Sequence, residues 1–462
     1  MPSIDGEPAT PPVRSEAWRV PPAAIPKEPA HPAQATIPDD LSPRADALAV
    51  NDVVDIALRN NPQTQISWSQ ARVSAAQYGV TTGAYAPTVD ATSNIAKSQT
   101  TSQLGSVERT TISPQLNISY LLFDFGGRSG TVAAARYAAI ALDLTHNATL
   151  QNVALQAESA YFTYQGQRQL TDAARMTVAS ADTNLASARQ RNQAGVATIA
   201  DVLQAETQLA QAQLDLETAE GNLQIARGNV ALAMGLPANT RFGFAPVADT
   251  VAAAMIATQV DTLINRALAL RPDLASLRST IEQTQSQVQV ARSSALPSLT
   301  LGANVGKQFS NITNFAGLNY TVTLGVQIPL FNLARPYGLS AAEAQVDVAK
   351  GRADLLRTQI ASQVYSSYYS LQTATQRVRT SDALLASALR SEEAARARYR
   401  GGVGTITDLM TAQSALGSAR AQQAQARWTW SLTLAQLSHD VGVLGPRGEA
   451  LPPGADPTGI RR

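Results

Sequence analysis

The chain has 462 residues, of which 44% are hydrophobic and 5% aromatic, and its 36 lysines and arginines nearly balance its 35 aspartates and glutamates. A formal net charge of +1 gives no reason to expect a nucleic-acid partner. The chain has no cysteine, which excludes disulfides, thiolate metal sites and a thiol nucleophile. Its three histidines are scattered and lack metal-ligand spacing. The sequence therefore predicts no enzyme, no catalytic or metal site and no cofactor.

The first 46 residues form a proline-rich arm. About a quarter of its residues are proline, a composition that predicts an extended or disordered chain. The arm has no apolar core of the kind that an export signal needs, so no such signal is visible. At the other end, residues 446–462 are predicted to form a disordered tail.

Between these ends the sequence consists of two similar repeats, residues 47–245 and 246–445. Four short segments of the first repeat recur in the second, in the same order and a little over two hundred residues later. An offset this regular indicates that one structural unit has been duplicated. The matching segments are Ala57–Pro62 and Ala267–Pro272, Ala86–Pro87 and Leu296–Pro297, Leu122–Phe125 and Leu330–Leu333, and Gly195–Leu203 and Gly402–Met410.

Each repeat is predicted to contain a helix, a β-hairpin and a long helical hairpin, in that order. The β-hairpins span about residues 87–123 and 297–331, and the helical hairpins span about residues 128–235 and 339–442. Both helical hairpins lack proline and are rich in Ala, Gln, Leu and Arg. The longer helix of each hairpin has roughly sixty residues, which corresponds to a length of roughly 100 Å.

The predicted strands of the second repeat alternate apolar and polar residues. Apolar side chains occupy every second position in Leu299–Val305 and in Leu318–Leu330. This is the period of a strand with one apolar face. The first repeat shows the pattern more weakly, because Pro114 interrupts it. Polar loops are predicted near Gln99–Glu108 and Ser310–Gly317.

These strands are long enough to cross a bilayer at the usual tilt, which takes about 9–11 residues. The alternative is a soluble β-sandwich, or two hairpins that pack on helices. One chain offers four such strands, whereas a closed membrane barrel needs at least about eight. Open edges would promote aggregation. The membrane interpretation therefore requires several chains, whose helical hairpins would form a tube continuous with the barrel.

The chain resembles the TolC-like outer-membrane efflux proteins over nearly all of Asp46–Gly445. The resemblance rests on the segments that start each repeat, on the segments that follow each β-hairpin (Leu122–Phe125 and Leu330–Leu333), and on the two glycine-containing tips. The resemblance implies a mixed α and β membrane protein. In it, the duplicated unit contributes two β-hairpins to a trimeric twelve-stranded outer-membrane β-barrel, continuous with a long periplasmic α-helical barrel. It implies a passive exit duct of a tripartite efflux or type I secretion system. The implied partners are two further copies in a homotrimer, a periplasmic adaptor (membrane fusion protein), an inner-membrane transporter and outer-membrane lipid.

The two tips carry matching helix-start motifs. Thr198 and Asp201 have the spacing of a capping box, and so do Thr405 and Asp408. A carboxylate at this position is also favoured by the positive end of the helix dipole. Capping alone accounts for both aspartates, whereas a ring of like charges at a pore entrance would attract cations and repel anions.

The family resemblance assigns a periplasmic gate to the same tips. It implies that Asp201 and Tyr399 close the gate and that Asp408 rings the entrance. The chain departs from the best-known members at Gly404, where they carry a gate arginine; Ala200 and Thr411 are further departures. Arg398 and Arg400 flank Tyr399 and offer a substitute for the missing cation.

The tip glycines, Gly195 and Gly402, are predicted to adopt the left-handed conformation of a tight turn between antiparallel helices. The resemblance implies that these glycines dock the adaptor together with Val196 and Val403.

Aromatic residues cluster at the ends of the predicted strands. An interfacial girdle requires this placement, although strand propensity alone also favours aromatic residues. The candidates are Tyr120, Phe123, Phe125, Phe309, Phe315, Tyr320 and Phe331.

A second hypothesis is a coiled-coil scaffold or interaction protein that forms no channel. It explains the helices rich in Ala and Gln. It leaves the alternating apolar face of Leu318–Leu330 without a partner layer.

Overall fold

The computed structural model describes residues 3–4, 7–8, 35–102, 105–245, 259–311 and 317–444. Most of the predicted arm, the predicted tail at 446–462 and Phe315 lie outside these residues. In the described part of the arm, Ser3–Ile4 (β1) pairs with Glu7–Pro8 (β2). Further along the arm, Ser42–Arg44 form a short 3-10 helix, and Leu41 is buried.

The two repeats fold into the same series of elements. The first contains α1 (Val50–Asn60), α2 (Pro62–Thr82), β3 (Thr88–Ser102), β4 (Gly105–Phe123), α3 (Gly127–Gln193) and α4 (Ile199–Ala233). The second contains α5 (Val260–Leu270), α6 (Pro272–Ser293), β5 (Ser298–Ser310), β6 (Gly317–Gln327), α7 (Ala334–Arg400) and α8 (Ile406–Asp440).

Equal helix lengths show how closely the second repeat copies the first. Helices α3 and α7 have 67 residues each, and α4 and α8 have 35 residues each. Pro62 and Pro272 occupy the first turns of α2 and α6, where a missing N–H leaves no hydrogen bond unmade. At 1.5 Å per residue, α3 and α7 are roughly 100 Å long. None of the described helices is both long and apolar enough to cross a membrane.

The four long strands form one antiparallel sheet in the order β3-β4-β5-β6. The loop predicted near Gln99–Glu108 is wrong, because β3 and β4 remain paired as far as Ser102 and Gly105. Lys97 and Glu108 form a salt bridge across this outer part of the hairpin. Thr100, Thr101 and Val107 lie in this segment, and β-branched residues favour a strand even where the sequence is polar.

Pro114 lies in the central strand β4 without breaking it. It pairs with Ser93 of β3, and the pairing of β4 with β5 skips its position. Gly306 of β5 faces this irregularity, and a Cβ there would lie 2.7 Å from the carbonyl oxygen of Pro114. The missing side chain at Gly306 lets the two backbones approach where the proline cannot donate a hydrogen bond.

The helices continue the sheet at two levels. Next to the sheet, the packing order is α2-α3-α6-α7, and towards the tips it is α4-α3-α8-α7. Because α3 and α7 run through both levels, α2 and α4 lie on one side of the molecule and α7 lies on the other. At the middle, α1 packs on α3 and α5 packs on α7, and each short helix covers a hydrophobic core.

Candidate functional site at the tips of the helical hairpins

Both hairpin tips turn through a glycine in the left-handed conformation. Gly195 and Gly402 each have a φ of 74°, as predicted from the sequence. After each glycine, a valine N–H bonds back to the preceding helix: Val196 donates to the Arg191 carbonyl at 3.0 Å. Val403 donates in the same way within α7. This is the Schellman ending of a helix. The side chains of Val196 and Val403 are 64% and 73% exposed.

Each tip then starts its second helix with the predicted capping box. The Asp201 carboxylate accepts the Thr198 N–H at 2.8 Å, and the Asp201 N–H donates to the Thr198 hydroxyl at 3.2 Å. Thr405 and Asp408 make the same two bonds at 3.2 and 3.1 Å. Hydrogen bonds from Thr405 lower the pKa of the Asp408 carboxyl. Both aspartates are therefore used locally, at the starts of α4 and α8.

Tyr399, at the end of α7, is buried in a cluster formed by both hairpins. Within the described chain its hydroxyl has no hydrogen-bond partner, so no bond to Asp201 forms in the single chain. Burial raises the pKa of the Tyr399 hydroxyl. The tip cluster consists of Leu185, Ala188, Val202, Ala205, Tyr399, Ile406, Leu409 and Met410.

Sequence reasoning missed the cation at this site. The Arg191 guanidinium, from the last turn of α3, lies 4.6 Å from the centroid of the Tyr399 ring. Its Nη1 also donates to the Tyr399 carbonyl at 2.9 Å. The cation over the ring thus comes from the first hairpin and not from the flanking Arg398 or Arg400. Two residues away, Arg189 forms an ion pair with Glu206 inside its own hairpin at 2.6 Å.

A buried polar group joins the hairpins further from the tip. Asn184 of α3 and Gln413 of α8 exchange side-chain hydrogen bonds. Gln413 Nε2 also donates to the Glu392 carboxylate of α7 at 3.2 Å, and Arg396 pairs with that carboxylate. We call the contact of α3 with α8 and with the end of α7 the hairpin seam. Hydrogen bonds therefore cross the seam at two positions, one at Arg191 near the tip and one at Asn184 further from it.

At the opposite end of the molecule, the sheet has two chemically distinct faces. Cross-strand neighbours share a face, so each row of the sheet presents one character. One apolar row consists of Val89, Ile118, Ala303 and Val322. The adjacent polar row consists of Asp90, Asn117, Asn304 and Thr321. An apolar face opposite a polar one suits a sheet between lipid and water.

The aromatic candidates lie at two levels of this sheet. Tyr120, Phe123 and Phe331 lie at the end that meets the helices, where the Phe123 and Phe125 rings are 4.7 Å apart. Phe309 lies towards the far end of the sheet, whereas Tyr320 pairs with Val305, between these two levels. Ten residues separate the Leu299 level from the Phe309 level, roughly 34 Å along a strand, or about 24 Å at the usual tilt. This height matches the apolar band of about 25 Å in membrane barrels.

Comparison with known proteins agrees with this architecture. A family model described as outer membrane efflux protein matches residues 53–236 and 263–443. Protein CyaE of Bordetella pertussis (strain Tohama I) is 26% identical over 381 residues, which cover 82% of this chain and 80% of CyaE. The pyoverdine export outer membrane protein OpmQ of Pseudomonas putida (strain KT2440) is 31% identical over 182 residues, 38% of this chain and 37% of OpmQ. The solved structure of the outer-membrane channel OprN has a TM-score of 0.77 at 16% identity, covering 91% of this chain and 98% of OprN.

The chain belongs to the outer membrane efflux protein family. It is an outer-membrane channel of the efflux and type I secretion class, and it is not an enzyme. Its helical part lies in the periplasm. The predicted family, fold class and location are thereby confirmed.

Proposed function

We propose that three copies of this chain close into one duct, through which substrates leave the periplasm. The support is that every level of the molecule ends in the same two open sides. One side carries β3, α2 and α4, and the other carries β6 and α7. A cyclic assembly that joins the first side of one copy to the second side of the next leaves no sheet edge unpaired.

Apolar stripes run along the helices at these open sides. On α4, the stripe residues are spaced by seven or eleven, which places them on one face of the helix. The residues of the α4 stripe are all more than half exposed in the single chain, and such an exposed stripe marks an interaction site. The α4 stripe is Leu203, Leu214, Ile225 and Leu232, and the α7 stripe is Tyr337, Val348, Leu355, Tyr369 and Leu384.

The size of the barrel favours three copies over two. Two copies would supply eight strands, and side chains fill the interior of a barrel of that size. Three copies supply twelve strands around a wider lumen, with twelve helices at each level below. The polar row of Asp90, Asn117, Asn304 and Thr321 would face this lumen, and the apolar rows with the aromatic girdle would face outer-membrane lipid.

The tips supply the entrance of the duct in this proposal. Val196 and Val403 are exposed apolar residues on hydrogen-bonded turns, which suits them to dock a periplasmic adaptor. Asp408 would be repeated three times around the entrance and would favour cations. Asp201 and Tyr399 would belong to the gate. Transport energy would come from an inner-membrane transporter, as in a tripartite system.

The first experiment is native mass and planar-bilayer recording on the detergent-extracted protein. We expect a trimer with a small, cation-favouring conductance, because the contact of Arg191 with Tyr399 holds the two tips of each chain together. A water-soluble monomer or dimer without conductance would contradict the proposal and favour the coiled-coil scaffold. A membrane-inserted dimer with conductance would contradict the copy number alone.

A further inference from the structure

We propose that Arg191 is the cation that holds the two hairpin tips together in the closed state of this channel, a role that rests on the proposed function. We call its contact with Tyr399 the latch. Arg191 belongs to the first hairpin and Tyr399 to the second, so their contact crosses the hairpin seam. Any opening that moves the second hairpin away from the first must break this contact.

Two bonds of different kinds hold Arg191 in place. Its guanidinium lies 4.6 Å from the Tyr399 ring centroid, within the range of a cation–π interaction. Its Nη1 donates to the Tyr399 carbonyl at 2.9 Å. That carbonyl also accepts the Gly402 N–H at 3.2 Å, so it belongs to the last turn of α7. Positive charge is favoured at a helix C-terminus, where carbonyls lack helical partners.

The same arginine also ends its own helix. The Arg191 carbonyl accepts the Val196 N–H in the turn that closes α3. The guanidinium therefore lies near the C-termini of both α3 and α7, between two partial negative charges. Its Nε is buried without a hydrogen-bond partner in the described chain. Desolvation of this kind strengthens a cation–π contact.

Gly404 explains why the cation comes from the first hairpin. A Cβ at Gly404 would lie 3.1 Å from the Arg398 Cβ and 3.2 Å from the Tyr399 N. The second tip thus folds tightly over the end of α7, with little room for a side chain at that position. Arg191 occupies the seam from the opposite side and reaches the same tyrosine.

Neighbouring arginines do not make this connection. Arg189 pairs with Glu206 of α4, and both residues belong to the first hairpin. Separation of the hairpins would leave that ion pair intact. Arg398 and Arg400 lie on α7 with Tyr399 itself. Arg191 therefore contacts Tyr399 across the seam, whereas Arg189 pairs within its own hairpin and provides a matched control.

The test compares Arg191→Gln with Arg189→Gln in planar bilayers, with native mass to verify assembly. We expect Arg191→Gln to raise the ratio of open to closed channels about tenfold, which corresponds to about 1.4 kcal/mol. Arg189→Gln should leave the ratio unchanged. Arg191→Lys should give an intermediate increase, because it keeps the charge and loses the planar stacking group.

A second variant separates loss of the latch from damage to the tip. Tyr399→Leu keeps apolar volume in the tip cluster and removes the ring. If the latch is real, combining it with Arg191→Gln opens the channel little more than either change alone. Equal gating of Arg191→Gln, Arg189→Gln and the unchanged protein would overturn the latch while leaving the channel standing. Absence of conductance in all of them would overturn the proposed function instead.

Discussion

The side-chain amides of Asn184 and Gln413 exchange hydrogen bonds across the hairpin seam, and both residues are buried. An amide pair satisfies donors and acceptors on both sides at once, but only in one alignment of the two helices. Gln413 also donates to Glu392, so the second hairpin contributes two groups to the connection. The pair therefore fixes how α3 and α8 are aligned, in addition to holding them together.

Removing one amide should cost more than removing both in a matched way. Asn184→Ala leaves the buried Gln413 side-chain oxygen without its donor, which costs about 1–3 kcal/mol. Replacing both residues with leucine should cost less, because no amide is left unpaired and Glu392 keeps its bond from Arg396. The measurement is the thermal unfolding midpoint of the detergent-extracted protein, with Ser180→Ala, at a partly exposed position of α3, as control. Equal losses from the single and the double replacement would show that the amide pair is not a coupled unit.

Tyr399 gives a sharp test of how its hydroxyl is used. Tyr399→Phe keeps the ring under Arg191 and removes a buried hydroxyl that has no partner in the described chain. We expect an unchanged closed state, whereas Tyr399→Ala should open the channel because it removes the ring. If Tyr399→Phe opened the channel as Tyr399→Ala does, the hydroxyl would have a partner in the assembled gate, as the predicted bond to Asp201 requires.

We also expect the channel to open at alkaline pH, when the Tyr399 hydroxyl ionises. Burial raises the pKa of the Tyr399 hydroxyl, so the stability it contributes is present below the unfolded pKa of about 10. That contribution is lost as pH rises through the folded pKa. Conductance of the unchanged protein should therefore rise at strongly alkaline pH. Tyr399→Phe serves as the control and should lack this transition, and a transition of equal size in the variant would assign it to another group.

The sequence predicted the features that depend on local periodicity. The two capping boxes, the left-handed Gly195 and Gly402 and the two-faced sheet all follow from spacings within one element. The error near Gln99–Glu108 also has a local cause, since polar β-branched residues suit a strand end and a loop equally well. The Arg191–Tyr399 contact was missed because it depends on how two helices, far apart in sequence, lie against each other. The sequence contained one indication of it: Gly404 stands where the best-known family members carry a gate arginine, so a cation at the gate has to come from another position.

We expect the start of α8 to lose stability in acid, because the Asp408 carboxylate caps it. Hydrogen bonds from Thr405 lower the pKa of the Asp408 carboxyl. The stability that the ionised carboxylate contributes to the helix start is therefore present above the unfolded pKa of about 3.9. It is lost as pH falls through the lower folded pKa. Hydrogen exchange at the first amides of α8 should therefore accelerate in Asp408→Asn at neutral pH. The difference from the unchanged protein should vanish under strong acid. Asp354→Asn, at an exposed position of α7, should show no change at this helix start.

Gly166 of α3 lies against Trp428 of α8. A Cβ there would lie 2.6 Å from Cδ2 of Trp428. Gly166→Ala should therefore displace the indole and destabilise the protein by about 1–3 kcal/mol. Gly79→Ala is the matched control, because a Cβ at that helical glycine meets no atom within 4 Å. The control should be neutral or stabilising by up to about 1 kcal/mol. Equal thermal midpoints for the two variants would show that this contact adjusts freely.

The α4 stripe predicts which surface holds the copies together. Leu214 is 57% exposed in the single chain and lies on the open side of the molecule. Leu214→Glu should prevent assembly, because a carboxylate would be buried against an apolar stripe of the next copy. Gln204→Glu adds the same charge to α4 on a different face and should assemble normally. Native mass after detergent extraction distinguishes these outcomes. If Leu214→Glu assembled as readily as Gln204→Glu, the copies would meet through another surface, and the α4 and α7 stripes would need a different partner.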